Sequence, residues 1–252
     1  MSKQSSRESR KRALEQAKKA QAQRGRRIRL AVIGGGVIAA AAIAVGVTLA
    51  VSGGSSSASG YKPLSALGTL QPAPAAGSVG AEGVPVPAAP PLAGTASAAT
   101  GSPVDGISCQ SSEQTLFHIH AHLTIFVNGA ARQVPPAIGI PGAVTQQTNA
   151  GPFITSGTCF YWLHTHAADG IVHIESPVQR TFTLGQFFDE WGQPLGPDVA
   201  GPAHGHVTVL VNGKVFEGNP RDVPLTAHAQ IQLEVGTPLV APESISWAGN
   251  GL

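Results

Sequence analysis

Between Phe117 and Val127 the chain reads Phe-His-Ile-His-Ala-His-Leu-Thr-Ile-Phe-Val, followed by Asn128-Gly129. Side chains of a β-strand alternate between its two faces. As a strand, this run gathers Phe117, Ile119, Ala121, Leu123, Ile125 and Val127 on one face and His118, His120 and His122 on the other. Asn-Gly is a strong hairpin dipeptide because both residues accept positive φ. One segment thus predicts a strand, its turn, a core face and a face rich in imidazole.

The same pattern returns downstream. His122-Leu-Thr-Ile-Phe-Val-Asn-Gly129 aligns with His206-Val-Thr-Val-Leu-Val-Asn-Gly213. A weaker correspondence links His166-Ala…Ile174-Glu175 with His228-Ala…Leu233-Glu234. Two related β units in one domain are expected. A single helix signal interrupts them, Thr183-Leu-Gly-Gln-Phe-Phe-Asp-Glu-Trp-Gly192. Thr183 and Gln186 have the spacing of a capping box, Gly192 can end the helix, and Leu184, Phe187, Phe188 and Trp191 form an apolar stripe. The expected fold is mainly β (α+β with one short helix), placed over residues 106–242 with a C-terminal tail at 243–252.

Charge and hydropathy divide the rest of the chain. Residues 1–29 hold eleven Lys/Arg against Glu8 and Glu15, while the remainder has five Lys/Arg and twelve Asp/Glu. A basic head on an acidic body gives no reason to expect nucleic-acid binding. Leu30–Val51 is a 22-residue run without charge, about 33 Å as a helix and long enough for a hydrocarbon core of about 30 Å. It reads as an uncleaved single-pass transmembrane helix, with cleavage after Thr48-Leu-Ala50 as the rival. The Lys/Arg excess orients the head to the cytoplasm and everything after Val51 to the extracytoplasmic side of the cell membrane. The head is expected to lie against anionic membrane lipid. Residues 52–105, rich in Ala, Pro, Gly and Ser, are expected to remain a disordered linker.

Cys109 and Cys159 both fall outside the membrane, where an even count reads as one disulfide. Closing that loop is worth roughly 4 kcal/mol in the chain-entropy model. A thiolate metal site is the alternative, without CxxC spacing in support.

All nine histidines lie between residues 118 and 228. Strand alternation pairs His164 with His166 and His173 with Glu175, as it groups His118, His120 and His122. These seven residues are the candidate metal ligands, since imidazole and carboxylate suit borderline divalent ions. Met1 is the sole methionine, and with paired cysteines the donors are nitrogen and oxygen; zinc is expected first, copper(II) second. Seven ligands exceed what one zinc needs, so some are expected to orient the others. Within the repeat, His122 matches His206 and His166 matches His228, which suits a structural task in both units. His118, His120, His164, His173 and Glu175 belong to the first unit alone and are the better candidates. His204, His206 and His228 form a possible second site. If a coordination position stays open, Glu175 or Asp169 is placed to act as general base. The HExxH, cupin, Gly-x-Ser-x-Gly, phosphate-loop and dinucleotide patterns are not present in this form.

The stretch Cys109, His118-Ile-His-Ala-His-Leu-Thr-Ile-Phe-Val-Asn-Gly129, Cys159-Phe-Tyr-Trp-Leu-His-Thr-His166, Gly170-Ile-Val-His-Ile-Glu-Ser-Pro177 and Phe182-Thr-Leu-Gly-Gln-Phe-Phe resembles an uncharacterised family of membrane-anchored prokaryotic His-rich ectodomains. The resemblance implies an architecture and no activity. Three functions stay open on sequence: a membrane-anchored extracytoplasmic metal-binding domain, a metal-dependent envelope enzyme (hydrolase or oxidase), and a non-metal, pH-sensitive interaction module. No protein or small-molecule partner is indicated.

Overall fold

Eight strands of very unequal length form the main sheet. The computed structural model describes residues 60–95, 99–249 and 251–252; the basic head, Leu30–Val51 and the first part of the linker lie outside them. No helix among the described residues is long and apolar enough to cross a membrane.

In chain order the strands used below are β1 (Gly60–Lys62), β2 (Phe117–Val127), β3 (Ala130–Arg132), β4 (Val144–Thr148), β5 (Gly151–Ser156), β6 (Leu163–His164), β7 (Ile171–Ser176), β8 (Val207–Val211), β9 (Lys214–Glu217) and β10 (Gln230–Val235). One α-helix among the described residues, α1 (Leu184–Trp191), lies between β7 and β8. The sheet order is β1-β9-β8-β10-β2-β7-β6, with β3 also paired to β2, while β4 and β5 form a separate hairpin. Every pairing is antiparallel except β10 with β2.

The long strand β2 is shared between neighbours. Its C-terminal half, His122–Val127, pairs with β10 on one edge. Its N-terminal half, Phe117–His122, pairs with β7 on the other. The turns after β2 and β8 match: Asn128 and Asn212 both have φ 50°, and Gly129 and Gly213 have φ 75° and 73°. The third strands differ. β7 lies along the same edge of β2 as β3, whereas β10 lies on the edge of β8 opposite β9. The hairpins repeat; their surroundings do not.

One face of the sheet carries the core expected from alternation. Ala121, Leu123 and Ile125 pack in one cluster with Val172, Ile174, Val209, Ile231 and Leu233 and with Leu184, Phe187, Phe188 and Trp191 of α1. The helix begins at a complete capping box. The Thr183 side chain accepts from the Gln186 N–H and the Gln186 side chain accepts from the Thr183 N–H. It ends at Gly192 in the left-handed conformation. Cys109 and Cys159 are joined in a disulfide.

The described parts of the segment expected to be a tether, residues 60–95 and 99–105, are folded against the sheet domain. β1 extends the sheet beside β9, Gln71 bridges Val240 in parallel, and Pro91 bridges Gln133. Val84 is fully buried and Leu92 joins the core. Proline-rich chain has little conformational freedom to lose, so a few anchors and bridging backbone bonds hold it as a strap. The tail is held similarly: Gln232 and Gln230 accept from the backbone N–H groups of Glu243 and Ile245.

Candidate metal centre

Strand alternation and pairing register together decide which ligands meet. Across β2 and β7, His118 stands opposite Glu175 and His120 opposite His173. Across β6 and β7, His164 stands opposite His173. His120, His173 and His164 therefore form one row over three adjacent strands, with His118 and Glu175 in the next row. Gly170, at φ 86°, leads the chain into β7; a Cβ there would lie 2.3 Å from the Leu123 carbonyl oxygen.

Four donor atoms close a ring. His118 Nε2 is 3.1 Å from His120 Nε2, which is 3.2 Å from His173 Nδ1. His173 Nδ1 is 3.3 Å from Glu175 Oε1, which returns to His118 Nε2 at 3.1 Å. Four ligands at about 2.0–2.1 Å around a tetrahedral zinc stand roughly 3.3–3.4 Å apart. The four sides of the ring are close to the edges of such a shell, and its two diagonals lie within 4.8 Å. These four residues form one group whose donor atoms all lie within 4.8 Å of one another; His164, His166 and His173 form a second, and Glu113, His164 and Glu175 a third.

Two rings have their tautomers fixed from behind. His164 Nδ1 lies 2.8 Å from the Tyr161 carbonyl oxygen and His166 Nδ1 lies 2.6 Å from that of Ile154. A carbonyl only accepts, so each Nδ1 carries its proton and each Nε2 keeps a free lone pair. The Nε2 of His164 is buried without a hydrogen-bond partner, as is Oε2 of Glu175. Phe153 of β5 stacks on the His166 ring at 4.9 Å, and the Ile154 N–H donates to the His166 carbonyl. The β4–β5 hairpin thus braces His166.

Electrostatics keep most of the rings neutral, the state a metal ligand needs. Burial, then the charges of His173 and His118, lowers His120 to about 3. Burial carries His164 well below its ordinary value and lowers His166. His173 is the exception. Burial alone would lower it, but its hydrogen bonds to Glu175 and Glu82 outweigh that and raise it to about 9. Burial would raise Glu175, yet the bond to His173 and the nearby imidazoles bring it down to about 2.

Two acids of the site were not singled out in the sequence. Glu82 Oε1 is 2.7 Å from His173 Nε2, presented by a tight turn in which the Gly83 N–H donates to the Gly80 carbonyl. Glu113 Oε1 is 3.5 Å from His166 Nε2. Glu82 had one available signal: it is the sole charged residue between Lys62 and Asp105. A solvent-connected cavity of about 370 Å³ borders Glu113, His118, His120, His166, His173 and Glu175.

Other expected ligands stand elsewhere. His122 donates from Nε2 to the Asp169 carbonyl at 2.9 Å and belongs to none of the three groups. Burial holds it neutral, with a pKa lowered to about 4. His204 and His206 are exposed, with His206 facing Asp198 at 3.8 Å. His228 stacks on Trp247 at 4.7 Å. Among the described residues His204, His206 and His228 join no ligand group. Asp169 is fully buried, joins none of the three ligand groups and does not line the cavity; burial and the Glu82 carboxylate raise its pKa to about 8. No family model, curated protein or solved structure matches the chain.

Proposed function

We propose that this chain is a membrane-anchored extracytoplasmic metal-binding domain acting at the cell envelope, with zinc the preferred ion and copper(II) the next. The observation that carries the reading is the closed ring of His118 Nε2, His120 Nε2, His173 Nδ1 and Glu175 Oε1, with sides of 3.1–3.3 Å. Hydrogen bonding alone is a poor account of the wider site, because it leaves His164 Nε2 and Glu175 Oε2 buried and unpaired. A cation compensates both. Zinc accepts this nitrogen and oxygen donor set without a geometric preference of its own, and copper(II) also accepts it. The anchor and its orientation rest on Leu30–Val51 and on the eleven Lys/Arg of residues 1–29.

The test is metal analysis of the untagged full-length chain in detergent, loaded with zinc or copper(II) and dialysed. At least about one retained equivalent is expected; less than about a tenth overturns the reading. A second reading, a metal-dependent envelope hydrolase, is favoured by the cavity beside the ring. Glu113, a half-exposed acid on the lining of that cavity, is the one placed to act as base there. Glu113→Gln that keeps its metal yet loses turnover of a hydrolysable ester would support it; unchanged turnover would remove Glu113 from that role.

A further inference from the structure

The donor supply is larger than one ion takes. Seven residues make up the three overlapping groups, while a tetrahedral zinc uses about four donors. The surplus has an internal division. His118, at the solvent side, and His120 present Nε2 atoms to each other and to Glu175 Oε1. His164 and His166, at 0% and 5% exposure, each have Nδ1 tied to a backbone carbonyl. His173 belongs to both sets: without it the outer set keeps His118, His120 and Glu175, while the inner set is His164 and His166 with His173.

Glu175 links the two halves. One of its oxygens is a corner of the outer ring, and the other is buried and unpaired. A Glu175 oxygen also falls within 4.8 Å of donor atoms of His164 and Glu113. The inner side contributes its own unpaired atom, His164 Nε2. Two buried donors without partners, one from each half, mark a position that the outer ring does not fill.

Resting on the metal-binding reading above, we infer that the centre holds two divalent ions, an outer one on His118, His120 and Glu175 and an inner one on His164 and His166, with the Glu175 carboxylate between them. Carboxylate-linked ions in such sites stand about 3.5–4 Å apart. The cavity borders His118, His120 and Glu175 of the outer set and His166 of the inner one, with His164 off it; the outer ion, held by the exposed His118, is the one that exchanges more readily. His173 lies in the shared row and serves whichever ion draws it.

The experiment is copper(II) and zinc stoichiometry of the untagged full-length chain in detergent, read by elemental analysis, with electron paramagnetic resonance of the copper form. About two equivalents are expected, with a copper signal integrating to well under the copper content because adjacent ions couple. His118→Ala, a half-exposed position that is not in the core, is expected to drop the content to about one equivalent and to restore the full signal of an isolated ion. A triple His204→Ala, His206→Ala, His228→Ala variant is expected to retain about two. About one equivalent in the unaltered chain overturns the pair while leaving the metal-binding reading intact; none overturns both. Two equivalents surviving His118→Ala, or the second vanishing in the triple variant, also overturns the assignment.

Discussion

The two halves of β2 are built from one alternating pattern and do different work. His122–Val127 lies beside β10 in the middle of the sheet and aligns with His206–Val211, down to the φ angles of the Asn-Gly turns. Phe117–Ala121 has no strand counterpart, since β8 begins only at Val207. This extension pairs with β7 and brings His118 and His120 to Glu175 and His173. The repeat is scaffold and the added half-strand is site. His122 and His206, aligned in the repeat, show where one passes into the other: the first is buried against Asp169 and the second is exposed.

The largest expected effect tests whether the site half depends on its own brace. Cys109–Cys159 ties the segment before β2 to the segment before β6 and has no equivalent in the second unit. Replacing both cysteines by serine is expected to cost roughly 4 kcal/mol by the chain-entropy account. Chemical denaturation of the chain with and without the bond measures it; a loss below about 1 kcal/mol would show that the halves are equally self-supporting.

Next comes the contrast between ligands and their scaffold counterparts. His120→Ala is expected to weaken zinc binding by at least about 100-fold, and His206→Ala to leave it unchanged within about twofold. Competition with a chromophoric chelator reads both. Equal losses would dissolve the distinction between site and repeat. A smaller change follows from the strap: Glu82→Gln removes the carboxylate that holds His173 Nε2 and is expected to cost about tenfold in zinc affinity.

Much of the scaffold half was legible because its signals are local. Alternation over 117–127, Asn-Gly turns and the Thr183/Gln186 box each depend on neighbours within a few residues, and each recurs in the structure. The site half was legible only as faces. A period of two puts His122 on the face of His118 and His120, and same-strand neighbours do meet in the site, His118 with His120 and His173 with Glu175. What closes the ring is the partner across the sheet, and opposite His122 stands Ile171, which offers no donor. Glu82 and Glu113 arrive through tertiary docking of segments whose composition counts few apolar anchors. Composition reports how much surface a strap can bury, not how well its turn fits; the expectation of a tether failed at Val84 and Glu82 for that reason.

The smallest effect sharpens the comparison from the scaffold side. Glu234 of β10 is buried and accepts from Gln232 Nε2 at 2.6 Å and from the Val240 N–H at 3.2 Å. Burial outweighs these two donors and raises its pKa from 4.5 to about 7. Between those values the folded chain keeps a proton that the unfolded chain has released. Stability from this group is therefore full below the unfolded value and falls as pH rises towards the folded one, with a slope of at most about 1.4 kcal/mol per pH unit. Glu234→Gln can still accept both hydrogen bonds and does not titrate, so the variant should lose that slope while its metal content stays unaltered. Denaturation midpoints at a series of pH values from acid to neutral give the comparison. A variant whose stability falls across that range as steeply as the parent would show that Glu234 ionises as an ordinary surface acid does, and that the scaffold half contributes nothing to the pH response of the fold.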